Sequence, residues 1–573
     1  MYFFVNTALN KQNSGIEHAQ LQRVKVFKDH HVPCKLIYTA WNPQLDRWLS
    51  RFGLVSNDAL TLFDYYQGTQ SVKSKIVTPN DIFLADVETR FEVDPQHNNC
   101  YLVKQNNSLM GRIHWFDGFS DNIKRVSMVE RFDIYGNLYR VDEYDVRGFL
   151  SRSQYYTPDN KVYMFVWFDL KGRPVLSQTF SQNVEHKTVA GVWEVVDREN
   201  RRHYYQNYRT VVAKYLDDLN NEYWSVDEPN YFVGDRMEGY EDALMQLTKP
   251  AIKIAHLHNS HGADVHDEMH SLLNNYYEFD LYNNDRYDFY VAATHKQTVD
   301  VRNRFGLGNR VVTIPVGLTE RVKQVSQLSR KPHSVLVTAR RAEEKRIDKI
   351  IEAVAKARTK IPDISLDVYG YRDSRNHDAA KKKIDAMIKK YNVEDCVSIN
   401  DYNPDLDTAR DQHQVYMVFS TMEGFNIALM EAQNHGEIGV VNDVNYGPNE
   451  LVVDQKNGYV VDYDDVDRAS ERLVEIFSNA DLAQSLSDNA YAYSERYSSD
   501  AIFKAWQTLV SQAMVMWKNT VRRNTSVKGL EEVPDLDAAI VKQSKIAVER
   551  EKKQIDEERK VILKEIKDNQ GVK

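Results

Sequence analysis

Four turn-like hexapeptides, FDIYGN, YDVRGF, YTPDNK and FDLKGR, begin at Phe132, Tyr144, Tyr156 and Phe168, a constant spacing of twelve residues. Each places Asp, Gly, Pro or Asn between runs rich in β-branched and aromatic residues, such as KVYMFVWF. Turn signals at that interval specify consecutive antiparallel hairpins, because each short strand must reverse before the next can pair with it. The stretch from about Ile82 to Val212 therefore reads as an all-β unit.

On either side of this unit the pattern is different. Tyr2–Asn6 is an apolar strand, TALNKQNSG a polar loop, Ile16 to His30 a helix by its apolar spacing, and CKLIYT the next strand. That order opens a doubly wound α/β domain. The same rhythm resumes with the apolar strand IKIAHLHNSH (Ile252–His261), an expected helix around Met269–Tyr276, and strands at Phe289–Ala293 and Val311–Gly317. A linker leads to a second α/β unit: SVLVTA, a helix in RIDKIIEAVAKARTKI, SLDVYGY, a helix in DAAKKKIDAMIKKY, CVSIN, and then VYMVFSTMEGFNIALMEAQNH (Val415–His435). The expected division is 1–81 and 213–325 for one Rossmann-like domain, 82–212 for its β insert and 326–500 for a second such domain. A helix at Ile502–Trp517, within a crossover at 501–522, is expected to return to the first domain. A charged helical tail at 523–573 follows, with Val541, Val548, Ile555 and Ile562 seven residues apart.

With 42% hydrophobic and 27% charged residues over 573 positions, the composition is that of soluble globular domains. A net charge of −9 gives no overall attraction to nucleic acid or anionic lipid. The three cysteines, Cys34, Cys100 and Cys396, are far apart and odd in number, so neither a disulfide framework nor a zinc site is expected, and a cytoplasmic setting fits. The opening MYFFVNTALNKQNSG lacks a basic region ahead of its short apolar run and reads as a first strand. No apolar run nears the roughly 20 residues of a membrane span, which leaves only peripheral association with a membrane open.

Ligands of two facing α/β units are expected at the carboxyl ends of their strands. Glu431, flanked by Ala428, Leu429, Met430 and Ala432, is expected to be largely buried, and a buried acid calls for a partner such as a ligand hydroxyl. Arg340 and Lys345, across the turn after SVLVTA, are placed to converge on one anionic group, the first as a planar fork and the second as a point charge. Glu423 precedes Gly424, Phe425 and Asn426, whose backbone N–H groups open a helix. Gly15 stands where the first loop becomes a helix, and a small residue there lets a ligand approach. His258 and His261 close a first-domain strand, and the crowding of His256, His258 and His261 leaves their assignment open.

EGFNIALME at Glu423–Glu431 resembles the E-x7-E motif of retaining GT-B glycosyltransferases of family 4, and RRAEEK at Arg340–Lys345 resembles that family's diphosphate-binding pair. The β insert and the opening NSGIEHAQ are similar to those of wall teichoic acid α-glycosyltransferases and of the transferases that modify serine-rich adhesins. The resemblance covers roughly residues 1–520. It implies a GT-B fold of two facing Rossmann-like domains and a UDP-sugar donor, with no metal. It also implies roles: Arg340 and Lys345 on the diphosphate, Glu431 on the ribose, Glu423 and His258 near the sugar, and Gly15 beside the phosphates. The acceptor is then a polymer: a teichoic acid receiving glucose or N-acetylglucosamine as the first reading, Ser/Thr of an adhesin as the second, and a non-catalytic acceptor-binding subunit as a third. A homo-oligomer is expected.

Overall fold

The computed structural model describes residues 1–83, 89–403 and 405–526. The two α/β runs become two parallel sheets. The first has seven strands in the spatial order Val311–Thr313, Phe289–Ala292, Ile252–Leu257, Tyr231–Gly234, Tyr2–Asn6, Cys34–Tyr38, Ala59–Thr61. The second has six: Val397–Asn400, Ser365–Tyr369, Ser334–Thr338, Val415–Val418, Ile438–Asn442, Gly458–Val461. Covered by helices on both faces, such strands must be apolar throughout, and all four residues of Val415–Val418 are buried. The winding reverses between Tyr2–Asn6 and Tyr231–Gly234 in one sheet, and between Ser334–Thr338 and Val415–Val418 in the other. Connections diverge at such a point and leave a crevice beyond the carboxyl ends of the strands.

The twelve-residue rhythm becomes a ten-stranded antiparallel meander from Thr89–Val93 to Arg202–Tyr205, in which each strand pairs with its neighbours in sequence. The turn chemistry explains the spacing. Asp133 Oδ1 accepts the N–H groups of Tyr135 and Asn137, and Asp169 Oδ1 those of Lys171 and Arg173. Gly136 and Gly172 supply the positive φ that closes these turns. Asn183 and Asp197 repeat the device fourteen residues apart, beyond the reach of the twelve-residue pattern.

This sheet is packed onto the first lobe. Trp167, Leu176, Trp193 and Val195 share a core with Tyr215, Leu216 and Leu219 of helix Tyr208–Tyr223 and with Tyr65 and Tyr66 of helix Leu62–Gln67. Full burial of such side chains contributes about 1.5–3 kcal/mol each. Gln67 Nε2 donates to the carbonyls of Ser151 and Phe168 at 2.9 and 2.7 Å, which ties the helix to the meander. The insert is thereby held in a fixed position against the lobe that carries it.

Helix Ser499–Ser526 is longer at both ends than its apolar pattern predicts and returns to the first lobe. Ile502, Trp506, Leu509, Ala513 and Trp517 bury against Val26, Phe27 and Tyr231. No helix among the described residues is long and apolar enough to cross a membrane. The expected seven-residue pattern of Val541, Val548, Ile555 and Ile562 lies outside the described residues.

Met269–Tyr276 is not a helix but irregular chain, with the short helix Glu278–Tyr282 after it. Side chains have taken over the backbone groups a helix needs. Glu268 accepts the Ser260 hydroxyl and, at 2.9 Å, the Gly262 N–H, while Arg304 donates to the carbonyls of Glu268 and Ser271.

Candidate active site

A cleft of about 1290 Å³ lies between the carboxyl ends of the two parallel sheets. Gly15 and His258 line it from the first lobe. Arg340, Lys345, Glu423, Gly424, Phe425, Asn426 and Glu431 line it from the second. All the candidate residues of the sequence except His261 therefore line one cavity.

On the first wall, Ser14 caps helix Gly15–Asp29 and Glu17 closes the capping box, so the helix begins at the cleft. Asp235 follows strand Tyr231–Gly234 and is buried beneath that wall. Arg23 grips it with both terminal amines, at 3.0 and 2.6 Å, and His258 Nε2 lies 2.8 Å from Oδ1. Burial would raise the Asp235 carboxyl, but the Arg23 charge and the hydrogen bonds of His256 and His258 outweigh it and hold it well below the usual range. An ionised Asp235 takes the Nε2–H of His258 and so fixes the orientation of its ring at the cleft. Asp235, His256 and His258 are close enough together to hold a metal ion. Arg23, however, is 2.6 Å from both Asp235 and His256, so a fixed positive charge already balances this acid. His261 is elsewhere: fully buried and stacked on Tyr446 of the second lobe, its pKa is pushed down to about 4 by burial and by Arg304.

On the second wall, Asn426 takes a left-handed conformation and caps helix Ile427–Asn434 through Leu429 N–H at 3.0 Å. Three donors converge on Glu423 Oε1: Ser420 Oγ at 2.6 Å, Asn426 Nδ2 at 3.1 Å and Lys345 Nζ at 2.6 Å. Arg340 is bound to Asp373 at 2.9 Å and to Glu344. The two cations line the same cleft, each with a carboxylate partner with which an entering anion must compete.

The two glycines differ. A Cβ on Gly15 meets nothing within 4 Å, whereas one on Gly424 would lie 2.0 Å from the His258 carbonyl oxygen. Gly424 is where the backbones of the two lobes touch. Glu431 departs from expectation: its side chain is 29% exposed, not buried, and its partner is Arg410. Leu429, Met430 and Ala432 turn to other faces of the helix, and Glu431 turns to the cleft with Ala428, one turn before it.

Residues 319–493 match the family described as Glycosyl transferases group 1. The chain has the GT-B fold. It is 24% identical over 535 residues to the UDP-N-acetylglucosamine--peptide N-acetylglucosaminyltransferase GtfA subunit of Streptococcus pneumoniae, covering 89% of this chain and 99% of that one. The crystal structure of the pneumococcal O-GlcNAc transferase GtfA in complex with UDP and GlcNAc has the same fold, with a TM-score of 0.75 at 22% identity over 89% of this chain and 98% of the other. The poly(ribitol-phosphate) alpha-N-acetylglucosaminyltransferase of Staphylococcus aureus is 20% identical over 88% of this chain and 99% of its own.

Sequence reasoning missed three residues of this cleft. Asp235 had a signal, an acid directly after the apolar strand YFVG. Arg23 and Arg410 had none, since each is one of many charged residues in a helix.

Asp280 also lines the cleft and is pushed up to about 7 by burial, against the Tyr287 hydroxyl that donates to it at 2.6 Å. An acid raised in the native state holds its proton longer than in the unfolded chain. Stability therefore falls as pH rises from about 4, and the loss is complete above about 7. Asp280→Asn is expected to raise the melting temperature by about 1–3 °C at pH 8 and to change it little at pH 4. Thermal scans at the two pH values check this; equal shifts at both would refute it.

Proposed function

We propose that this glycosyltransferase moves a sugar, N-acetylglucosamine in the favoured reading, from a UDP donor to Ser/Thr hydroxyls of a polypeptide. One observation carries the choice of acceptor: in the cleft and the insert, cations and acids nearly balance. The first wall sets Asp29, Glu238, Glu241 and Asp280 against Lys25, Lys28 and Arg236, and Asp235 is already paired with Arg23. Residues 89–205 contain 16 Lys and Arg against 15 Asp and Glu. A polyanion needs a run of unpaired cations along its path, and a neutral peptide does not. The teichoic acid reading, first on sequence grounds, loses its place for that reason. The GtfA relative supports the peptide reading, as a protein named for transfer to peptide.

In this reading Arg340 and Lys345 meet the diphosphate, Glu431 the ribose, and Glu423 and His258 the sugar. Gly15 and the N–H groups from Gly424 to Asn426 lie beside the phosphates. The C1–O bond to the β-phosphate breaks as the acceptor oxygen bonds to C1 on the same face. The acceptor proton passes to the departing phosphate, and UDP leaves. Fixed cations in a closed cleft stabilise the charge that develops there. The same relative is named as a subunit, which supports a second protein chain as partner. The insert, where Tyr139, Tyr163 and Tyr204 are exposed, is the surface it offers.

UDP release measured with UDP-N-acetylglucosamine is expected to be at least about tenfold faster with a Ser-rich peptide than with glycerol-phosphate or ribitol-phosphate polymers. It should also vary little between low and moderate salt. Preference for a polymer, with steep salt dependence, restores the teichoic acid reading. No release with any acceptor leaves the binding-subunit reading.

A further inference from the structure

Arg410 holds Glu431 in place, and the reading above gives it no role. It belongs to the short helix Asp407–Gln412 and is only 9% exposed. One terminal amine donates to Glu431 Oε2 and the other to Asp407 Oδ1 at 3.0 Å. Glu431 Oε1 meets Gln22 Nε2 of the first lobe at a loose 3.5 Å and is open to the cleft.

Near Arg410 is a second acid, Glu437, wholly buried and with neither oxygen hydrogen-bonded. Burial pushes its carboxyl well above the usual range, against the pull of Arg330 and Arg410. Arg330, from the segment joining the lobes, donates to the carbonyls of Arg410 at 2.8 Å, His413 at 2.7 Å and His435. The backbone that carries Arg410 is therefore clamped, and its guanidinium sits between carboxylates. Desolvating such a group costs stability, a cost that makes sense where its fixed direction is used. Asp407 anchors one tine of the planar fork and so directs the other at Oε2 of Glu431.

We propose that Arg410 is a positioning residue for the ribose of the donor nucleotide: by holding Oε2 of Glu431 it presents Oε1 to the vicinal hydroxyls. The proposal rests on the reading of Glu431 as the ribose contact. Calorimetric titration of the full chain with UDP and with 2′,3′-dideoxy-UDP measures an affinity ratio that a general weakening of the fold leaves alone. The unaltered protein is expected to prefer UDP about 10- to 100-fold, as for hydrogen bonds to a charged group. Glu431→Ala is expected to abolish the preference; if the preference survives, the ribose reading itself fails.

Where Glu431→Ala abolishes it, Arg410→Met is expected to reduce the ratio to within about threefold, and Arg410→Lys, with charge but no fork, to an intermediate value. Arg410→Met combined with Glu437→Gln removes the acid that the single change strands and replaces it if the single variant does not fold. If either Met variant keeps the full ratio while Glu431→Ala loses it, the positioning role is overturned and the ribose reading stands.

Discussion

Lys345→Ala is expected to lower kcat/KM for the UDP-sugar by about 10³-fold or more while the protein stays folded. The leaving group is a diphosphate, and stabilising its charge is the main demand on the catalyst. Lys345 supplies a charge that needs no reorganisation at the moment of bond cleavage. Its side chain is 24% exposed and ion-paired with Glu423, which keeps Ser420 and Asn426 as donors when the lysine is gone. Structural damage should therefore be slight. UDP release under saturating acceptor measures the effect, and circular dichroism controls for folding. A loss smaller than about tenfold would remove Lys345 from the diphosphate site. Arg340→Ala should cost less, because Asp373 and Glu344 already claim part of its charge.

How far the site could be read from sequence follows from how local its contacts are. Glu423, Ser420 and Asn426 meet within one turn of chain, and strand–turn–helix patterning exposes such a group. Arg23 and Asp235 are 212 positions apart, and nothing in either neighbourhood signals the other. The burial of Glu431 was misread for a different reason. Residues adjacent in sequence lie about 100° apart around a helix, so apolar neighbours on both sides do not bury the residue between them. The helix expected at Met269–Tyr276 failed because its backbone pairs elsewhere: the Leu272 carbonyl accepts the Ala263 N–H, the Asn274 N–H donates to the His261 carbonyl, and Arg304 takes the Ser271 carbonyl. The β insert was legible because its turns are chemically self-contained: Asp or Asn opens them and a left-handed residue closes them. Its attachment was not, because Trp167 packs on Phe63 of helix Leu62–Gln67, about a hundred residues earlier, and no local pattern signals that pairing.

Gly424→Val should be nearly as damaging as the loss of Lys345, by a different route. A Cβ at this position would lie 2.0 Å from the His258 carbonyl oxygen and 2.8 Å from Asn259 Cα, both backbone atoms that cannot rotate aside. The substitution leaves each lobe its own core and forces the two backbones apart at the point where they meet beside the cleft. Turnover is expected to fall about 10²- to 10³-fold, since a displacement of about 1 Å between reacting groups is enough for the lower figure. Small-angle scattering should show a more open particle, and each lobe should keep its secondary structure. Gly15→Ala is the informative contrast. Nothing lies within 4 Å of the added methyl group, so the unliganded protein should be unaffected. If UDP-sugar binding nevertheless weakens, the space beside Gly15 is occupied by the ligand. If Gly424→Val leaves turnover within about threefold, the backbone contact between the lobes is not part of the working conformation, and the paired walls of the cleft must act in another arrangement.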